Sequence, residues 1–329
     1  MAHALRNMAL GVLLVVFASE LSAQSSYPGR PITVIVPFAA GGPTDIVARI
    51  LGDHMSRTLG QQLVVENIGG AGGSTGMTRV AQSAPDGYTI AVGNMGTQSA
   101  APALYRNLKY DPAASFDQIG LANNTPMVII AKKDTPAKDL REFLAYLKQN
   151  EAKVNFGHAG VGSISHVIGL TFFAALGIKP GLVAYRGTGP ALNDLVGGQI
   201  DFMIDQALNN IPQIKAGTIK AYAVTSPTRL ESIADVPTTS EAGMPEFTPN
   251  AWNAMVAPKG LPGNVKAMLV DALNRALDDP AVLQRYAELG STAPKAAQRG
   301  PEALQKLVET EMARLTPILN AAMATDIKK

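Results

Sequence analysis

Residues 32–45, Ile-Thr-Val-Ile-Val-Pro-Phe-Ala-Ala-Gly-Gly-Pro-Thr-Asp, restrict the fold of this chain more than any other stretch. Ile32 to Val36 are all β-branched and suit a strand buried on both faces. Gly41 and Gly42 permit a sharp turn and let a ligand come close to the backbone. Pro43, Thr44 and Asp45 are good first-turn residues for a helix that follows. A strand that feeds straight into such a helix start aims free N–H groups outward, where they attract an anion. A second turn of this kind, Gly-His-Ala-Gly-Val-Gly-Ser-Ile-Ser-His, occupies 157–166. Two anion-seeking helix starts in one chain point to capture of a small carboxylate rather than to catalysis.

Short apolar runs alternate with amphipathic segments, the order expected of a parallel sheet covered by helices in an α/β protein. Strands are expected at 32–36, 62–66, 88–92, 117–121, 127–132, 153–157, 181–185, 200–204, 219–225 and 252–257. Helices are expected at 44–59, 74–84, 97–104, 137–149, 163–176, 188–197, 207–216, 263–278, 280–289 and 300–323. The helical period is plainest over 137–149, where Leu140, Phe143, Leu144 and Leu147 share a face and Lys138, Arg141 and Lys148 face water. The alternation breaks at Asn123-Asn124-Thr125-Pro126 and again across 226–250, which holds Pro227, Pro237, Pro245 and Pro249. These breaks divide the chain into a discontinuous domain of 24–124 plus 251–329 and an inserted domain of 125–250. Two crossings make a hinge and leave a cleft, a common place for a small-molecule site.

Residues 1–23 carry the marks of an export signal. Arg6 is followed by an apolar run of 11 residues, Met8 to Ala18, too short to span a bilayer, and Leu21-Ser22-Ala23 supplies a cleavage point. Its removal leaves 306 residues (329 less 23), more than one ordinary core. The sequence contains no cysteine, which excludes disulfides, thiolate metal sites and a lipid-modified cysteine. A net charge of +2 without clustered Lys and Arg gives no nucleic-acid footprint. His54, His158 and His166 show no metal-ligand spacing, and His3 leaves with the signal. The expectation is a free periplasmic protein without cofactor or metal.

Several motifs then recur in a fixed order. They are Tyr27-Pro28 with Pro31, Pro37 to Asp45, and Val65-Glu66-Asn67 followed by Gly69-Gly70-Ala71-Gly72-Gly73. Pro85-Asp86-Gly87-Tyr88-Thr89, Gly160 to His166, Tyr185-Arg186-Gly187, Gly198-Gln199-Ile200-Asp201 and Trp252 to Pro258 complete the set. With them the chain resembles the Bug (TctC-type) solute-binding receptors of tripartite tricarboxylate transporters, over nearly all of its length beyond the signal. The resemblance implies a two-lobed periplasmic binding protein fold of type II that closes on an organic acid. It implies that the first strand–helix loop holds one ligand carboxylate, partly through ordered water, and that a loop of the second lobe contacts the rest. It also implies delivery to integral-membrane transporter subunits. The receptor itself is expected to be a monomer. His158 departs from the pattern, since many members carry a small hydroxyl residue near that point.

In the first loop, the backbone N–H groups of about Ala40 to Thr44, Gly41 among them, are expected donors, Thr44 adds a hydroxyl, and Phe38 supplies an apolar wall. The alternative is that the loop only turns the chain and Phe38 is core. The dipole of the following helix adds about 0.3–1 kcal/mol for an exposed anion. Asp45 repels an anion, so it either stabilises the first helical turn or meets an ammonium group. Gly69 to Gly76 imitates a phosphate loop but lacks a Gly-Lys-Ser/Thr ending and a downstream acidic ribose partner, so a structural turn at the cleft edge is expected. Asn94, Thr97 and Gln98 either hydrogen-bond the ligand or cap a helix. In the second loop, Ala159 and Gly162 contribute backbone, and Ser163 and Ser165 hydroxyls. His166 either donates to a carboxylate or packs locally. Tyr185 and Arg186 enter a further Gly-rich turn, where Arg186 either forks onto a carboxylate or forms a salt bridge. Asp205 is expected to end strand 200–204 at the cleft rim, as acceptor for a ligand hydroxyl, water or ammonium.

Ser163, His166 and Asp205 are the residue types of a hydrolytic triad. Ser163 and His166 share one short turn, however, and no Gly-X-Ser-X-Gly elbow presents the serine. A receptor is therefore expected rather than an enzyme, with a ligand-sensing partner of a signalling system as the alternative. The acid itself is not legible, because main-chain donors recognise a carboxylate and not what it is attached to.

Overall fold

The computed structural model describes residues 27–326, so the expected export signal 1–23 lies outside the described residues. Strand β1 (Ile32–Val36) feeds both faces of its sheet. Ile32, Val34 and Val36 pack into a core with Val47, Leu51, Leu269 and Leu273, while Ile35 enters the opposite core with Met77 and Val80. That two-sided burial is why the run is β-branched throughout rather than alternating. β2 (Leu63–Asn67) and β3 (Thr89–Asn94) flank β1 in parallel. Next comes β9 (Asn250–Pro258), antiparallel to β3 and to the long strand β4 (Phe116–Lys132).

β4 joins the two lobes. From Phe116 to Pro126 it pairs with β9, and from Met127 onward it lies between β7 (Phe202–Gln206) and β8 (Ile219–Val224), antiparallel to both. β5 (Asn155–His158) and β6 (Gly181–Ala184) extend the second lobe in parallel beyond β7. The resulting orders are β2-β1-β3-β9-β4 and β8-β4-β7-β5-β6. The sheets are thus mixed, not parallel throughout, because the two strands that pass between lobes run against their neighbours.

Helices cover these sheets: α1 (Pro43–Leu59), α2 (Ser74–Ala81), α3 (Ala101–Leu104), α4 (Leu140–Gln149) and α5 (Ile164–Leu176). They continue with α6 (Thr188–Val196), α7 (Ala207–Lys215), α8 (Gly263–Asp278), α9 (Pro280–Glu288) and α10 (Pro301–Asp326). α4 buries Leu140, Phe143 and Leu147, and Asp139 caps it by accepting from the Glu142 N–H. α10 returns over the first lobe and places Leu304, Val308 and Leu315 in the core that also holds Phe156 and Phe202 of the second lobe.

Three local expectations need correction. The strands expected at 117–121 and 127–132 are one strand of 17 residues. Asn123 reads as loop by polarity, yet it is buried, donating to Ser291 Oγ at 2.8 Å and accepting from Asn253 Nδ2 at 2.8 Å. The helix expected over 97–104 is a π-helical turn, Gly96–Ala100, that leads into α3. Pro102 has no N–H to give four residues back, and the Ala101 N–H reaches Gly96 O instead. The strand expected at 200–204 is Phe202–Gln206, which moves Asp205 from beyond the strand's end to inside it.

Candidate ligand-binding site

A narrow cavity lies between the lobes. The first lobe lines it with Phe38, Gly42, Pro43, Thr44 and Asn94, and the second with Ala159, Ser163, Ile164, Ser165, Thr188, Asp205 and Gln206. Most of them belong to the starts of α1, α5 and α6 or the turns before them, while Asn94 ends β3 and Asp205 and Gln206 end β7 ahead of α7. Gly42 at the start of α1 and Gly187 at the start of α6 have no side-chain cap bond. Their first-turn N–H groups therefore lack side-chain acceptors, which suits an anion. At the start of α5, Ser163 Oγ accepts from the His166 N–H at 3.4 Å and lies 3.3 Å from Ser165 Oγ. Ser165 Oγ in turn accepts from the Ala159 N–H at 3.0 Å.

Thr44 holds the first-lobe wall in place rather than presenting a free hydroxyl. Its Oγ1 donates to Asn253 Oδ1 at 2.8 Å and accepts from Asn94 Nδ2 at 3.1 Å. Asn253 Nδ2 donates across the lobes to Gln206 Oε1 at 3.1 Å and also to Asn123 Oδ1 at 2.8 Å. Asn94 Oδ1 accepts from the Gly96 N–H at 3.0 Å and the Thr97 N–H at 3.3 Å. A buried chain of amides and hydroxyls thus links the cavity wall to β4 and β9, the strands that join the lobes.

The two acidic candidates differ. Asp45 lines no part of the cavity; it accepts from the Gly41 N–H and Asn67 Nδ2, both at 3.0 Å, and from Arg49 Nη2 at 2.9 Å. Burial acts to raise its pKa, but these bonds hold it below the ordinary carboxylate range. Asp205 lies buried on the cavity wall, not at the rim, and Asn209 Nδ2 donates to its Oδ2 at 3.1 Å. Burial pushes its pKa up to about 6 against the opposing hydrogen bonds of Thr188, the Gln206 backbone and Asn209.

Of the expected site residues, Phe38, Thr44, Asn94, Ala159, Ser163, Ser165 and Asp205 meet on this wall. The rest stand elsewhere. Ala40 and Gly41 are exposed at the mouth, and the Gly41 N–H is committed to Asp45. Thr97 lies behind Asn94, bonded to its backbone through Oγ1. Gln98 is fully buried beside Met77 and Gly93, with neither amide atom of its side chain hydrogen-bonded. The Gly162 N–H donates to His166 Nδ1 at 3.3 Å, so that ring does not activate Ser163. His166 packs 4.7 Å from the His158 ring, and burial together with His158 pushes its pKa down to about 4. Tyr185 donates to Asp194 at 2.6 Å, and the Arg186 side chain is exposed. Sequence reasoning passed over Thr188. For Thr188 the signal was present, since Tyr185-Arg186-Gly187-Thr188 is a third strand-to-helix turn; the charged residue drew attention instead of the helix start.

The lobes touch around the cavity. The Ala39 N–H donates to Arg186 O at 2.9 Å, and Tyr105 OH to Val161 O at 2.6 Å. The glycine-rich loop 69–73 meets both second-lobe turns. A Cβ at Gly69 would stand 2.6 Å from Arg186 O, and one at Gly72 would run into Val161 O.

This architecture agrees with known relatives. The model of the tripartite tricarboxylate transporter family receptor matches residues 47–323, and the chain belongs to that family. It is a solute-binding receptor with the two-lobed α/β fold of periplasmic binding proteins, and not an enzyme. A protein from the TAR-I ttuE-ttuC' intergenic region of Agrobacterium vitis is 44% identical over 300 residues, covering 91% of this chain and 86% of its own. The structure of the periplasmic binding protein BugD superposes with a TM-score of 0.87 at 44% identity, covering 90% of this chain and 98% of BugD. MatC from Rhodopseudomonas palustris, solved with bound malate, gives 0.85 at 43% identity, covering 89% of this chain and 100% of MatC.

Proposed function

We propose that this receptor captures a small organic carboxylate between its lobes in the periplasm, acting as a monomer, and delivers it to the integral-membrane subunits of a tripartite tricarboxylate-type transporter. The observation that carries the proposal is that α1 of one lobe and α5 of the other both begin at one cavity. No lining residue among those described is cationic. Main-chain dipoles and hydroxyls then hold the anion, as helix starts do for phosphates and carboxylates. MatC, 43% identical to this chain, was solved with bound malate, and a small dicarboxylate of that class is the favoured guest.

The hinge lies where the chain passes between 24–124 plus 251–329 and 125–250, near Pro126 and Asn250, which are partners in the β4–β9 register. Contacts from both lobes to one guest favour the closed arrangement over the open one. Calorimetric titration of the purified protein with mono-, di- and tricarboxylates tests the capture step. At least one acid should bind at a single site and raise the melting temperature; silence across the whole panel would refute the proposal. Uptake of that acid by cells with and without the adjoining membrane subunits tests delivery.

A further inference from the structure

We propose that Asp205 takes up a proton when the site captures an acid that brings no positive charge of its own. The inference rests on the carboxylate-receptor proposal above and adds a charge rule to the same site. Asp205 is 2% exposed and lines the cavity together with the start of α6 at Thr188 and the turn into α7 at Gln206. Its donors, Asn209, Thr188 and the Gln206 N–H, are all neutral.

The ionisable groups on the surrounding elements do not supply a cation. On β5 and α5, His158 and His166 pack against each other, and burial lowers the pKa of both. On α6, Asp194 accepts from Tyr185; on α7, Lys215 stands at the far end of the helix. On α1, Asp45 is held by Arg49, and Arg186 of the turn before α6 is exposed. A ligand carboxylate entering this cavity therefore meets helix-start dipoles and one carboxyl group. Two like charges enclosed together disfavour each other's ionised form, and one must take a proton or find a cation.

The proton moves from solvent onto a carboxylate oxygen of Asp205, whose O–H then donates to an oxygen of the bound acid. The protonated free site is the competent one. With the free carboxyl titrating at about 6, affinity is greatest below that pH. It should fall as pH rises above it, by up to about tenfold per pH unit.

The test is calorimetry of the full protein with L-malate, and separately with succinate, at pH 7 and pH 8. Each titration is run in phosphate and in Tris, whose ionisation enthalpies differ. Wild type should take up about one proton per acid bound at pH 8 and bind about tenfold more weakly there than at pH 7. Asp205→Asn should bind with no proton uptake and no such slope, and more tightly than wild type at pH 8. Binding by wild type without proton uptake would overturn the proposal whether or not the variant folds. So would loss of malate binding in a folded Asp205→Asn protein, or binding of the zwitterion L-aspartate to the exclusion of both acids. Failure of every acid in the wider panel would instead remove the receptor proposal on which this one rests.

Discussion

Asp45 and Asp205 are both buried carboxyls beside a helix start, one in each lobe, and their surroundings are opposite. Asp45 is ringed by Arg49, Asn67 and the Gly41 N–H, so it stays ionised and fastens the first loop to α1. Asp205 has neutral donors and faces the cavity, so its charge is weakly held. Residue type and position in the sequence do not separate them. What separates them is whether a cation lies one helical turn away, as Arg49 does from Asp45 and as the neutral Asn209 does from Asp205.

The largest expected effect breaks the first half of this comparison. Asp45→Asn should cost about 2–3 kcal/mol of stability in urea unfolding at pH 7, discounted from a fully buried pair because Arg49 is half exposed. Because the folded pKa of Asp45 is depressed, its contribution is complete above the unfolded carboxylate pKa. It is lost as pH falls through the folded value, so variant and wild type should converge in acid. Asp205→Asn should show the reverse, no loss of stability at neutral pH, since it removes an uncompensated buried charge.

Next in size is Gly72→Ala, which prevents the two lobes from meeting. Gly72 has φ +61°, and the added methyl collides with Val161 O. The clash, about 2 kcal/mol, should weaken carboxylate affinity about 30-fold, while the left-handed backbone should cost the free protein about 1 kcal/mol, measured by titration and melting. Replacing Ser163 and Ser165 together by Ala should lower affinity about tenfold, because two hydroxyls leave the second-lobe wall. Arg186→Ala should be nearly neutral in the same titration, less than about twofold, because only its carbonyl joins the lobes. A large loss there would mean that the guanidinium swings inward to the guest.

Much of the backbone plan was legible because it follows from local chemistry. Five β-branched residues before Gly-Gly-Pro mark a buried strand and a helix start, and Gly160 to His166 before an apolar run marks another helix start. What a side chain does with its hydrogen bonds is set by distant partners. Thr44 was expected to offer its hydroxyl to the ligand, but Asn253 Oδ1, far along the chain, accepts that hydrogen bond. Asn123 and Pro126 were expected to interrupt a strand, but Ser291 and Asn253 satisfy the buried amide, and β4 runs on. Charge was a poor guide to the wall. Arg186, Tyr185 and His166 stand off it, while Thr188 and Gln206 reach it because helix starts converge there.

The most direct measurement is a crystal structure of the protein grown with L-malate. One malate carboxylate should lie within hydrogen-bond distance of backbone N–H groups at the starts of both α1 and α5, with no lysine or arginine side chain touching it. Malate held by one lobe alone, or seated in the outer groove beside Pro227 and Thr292, would contradict the account.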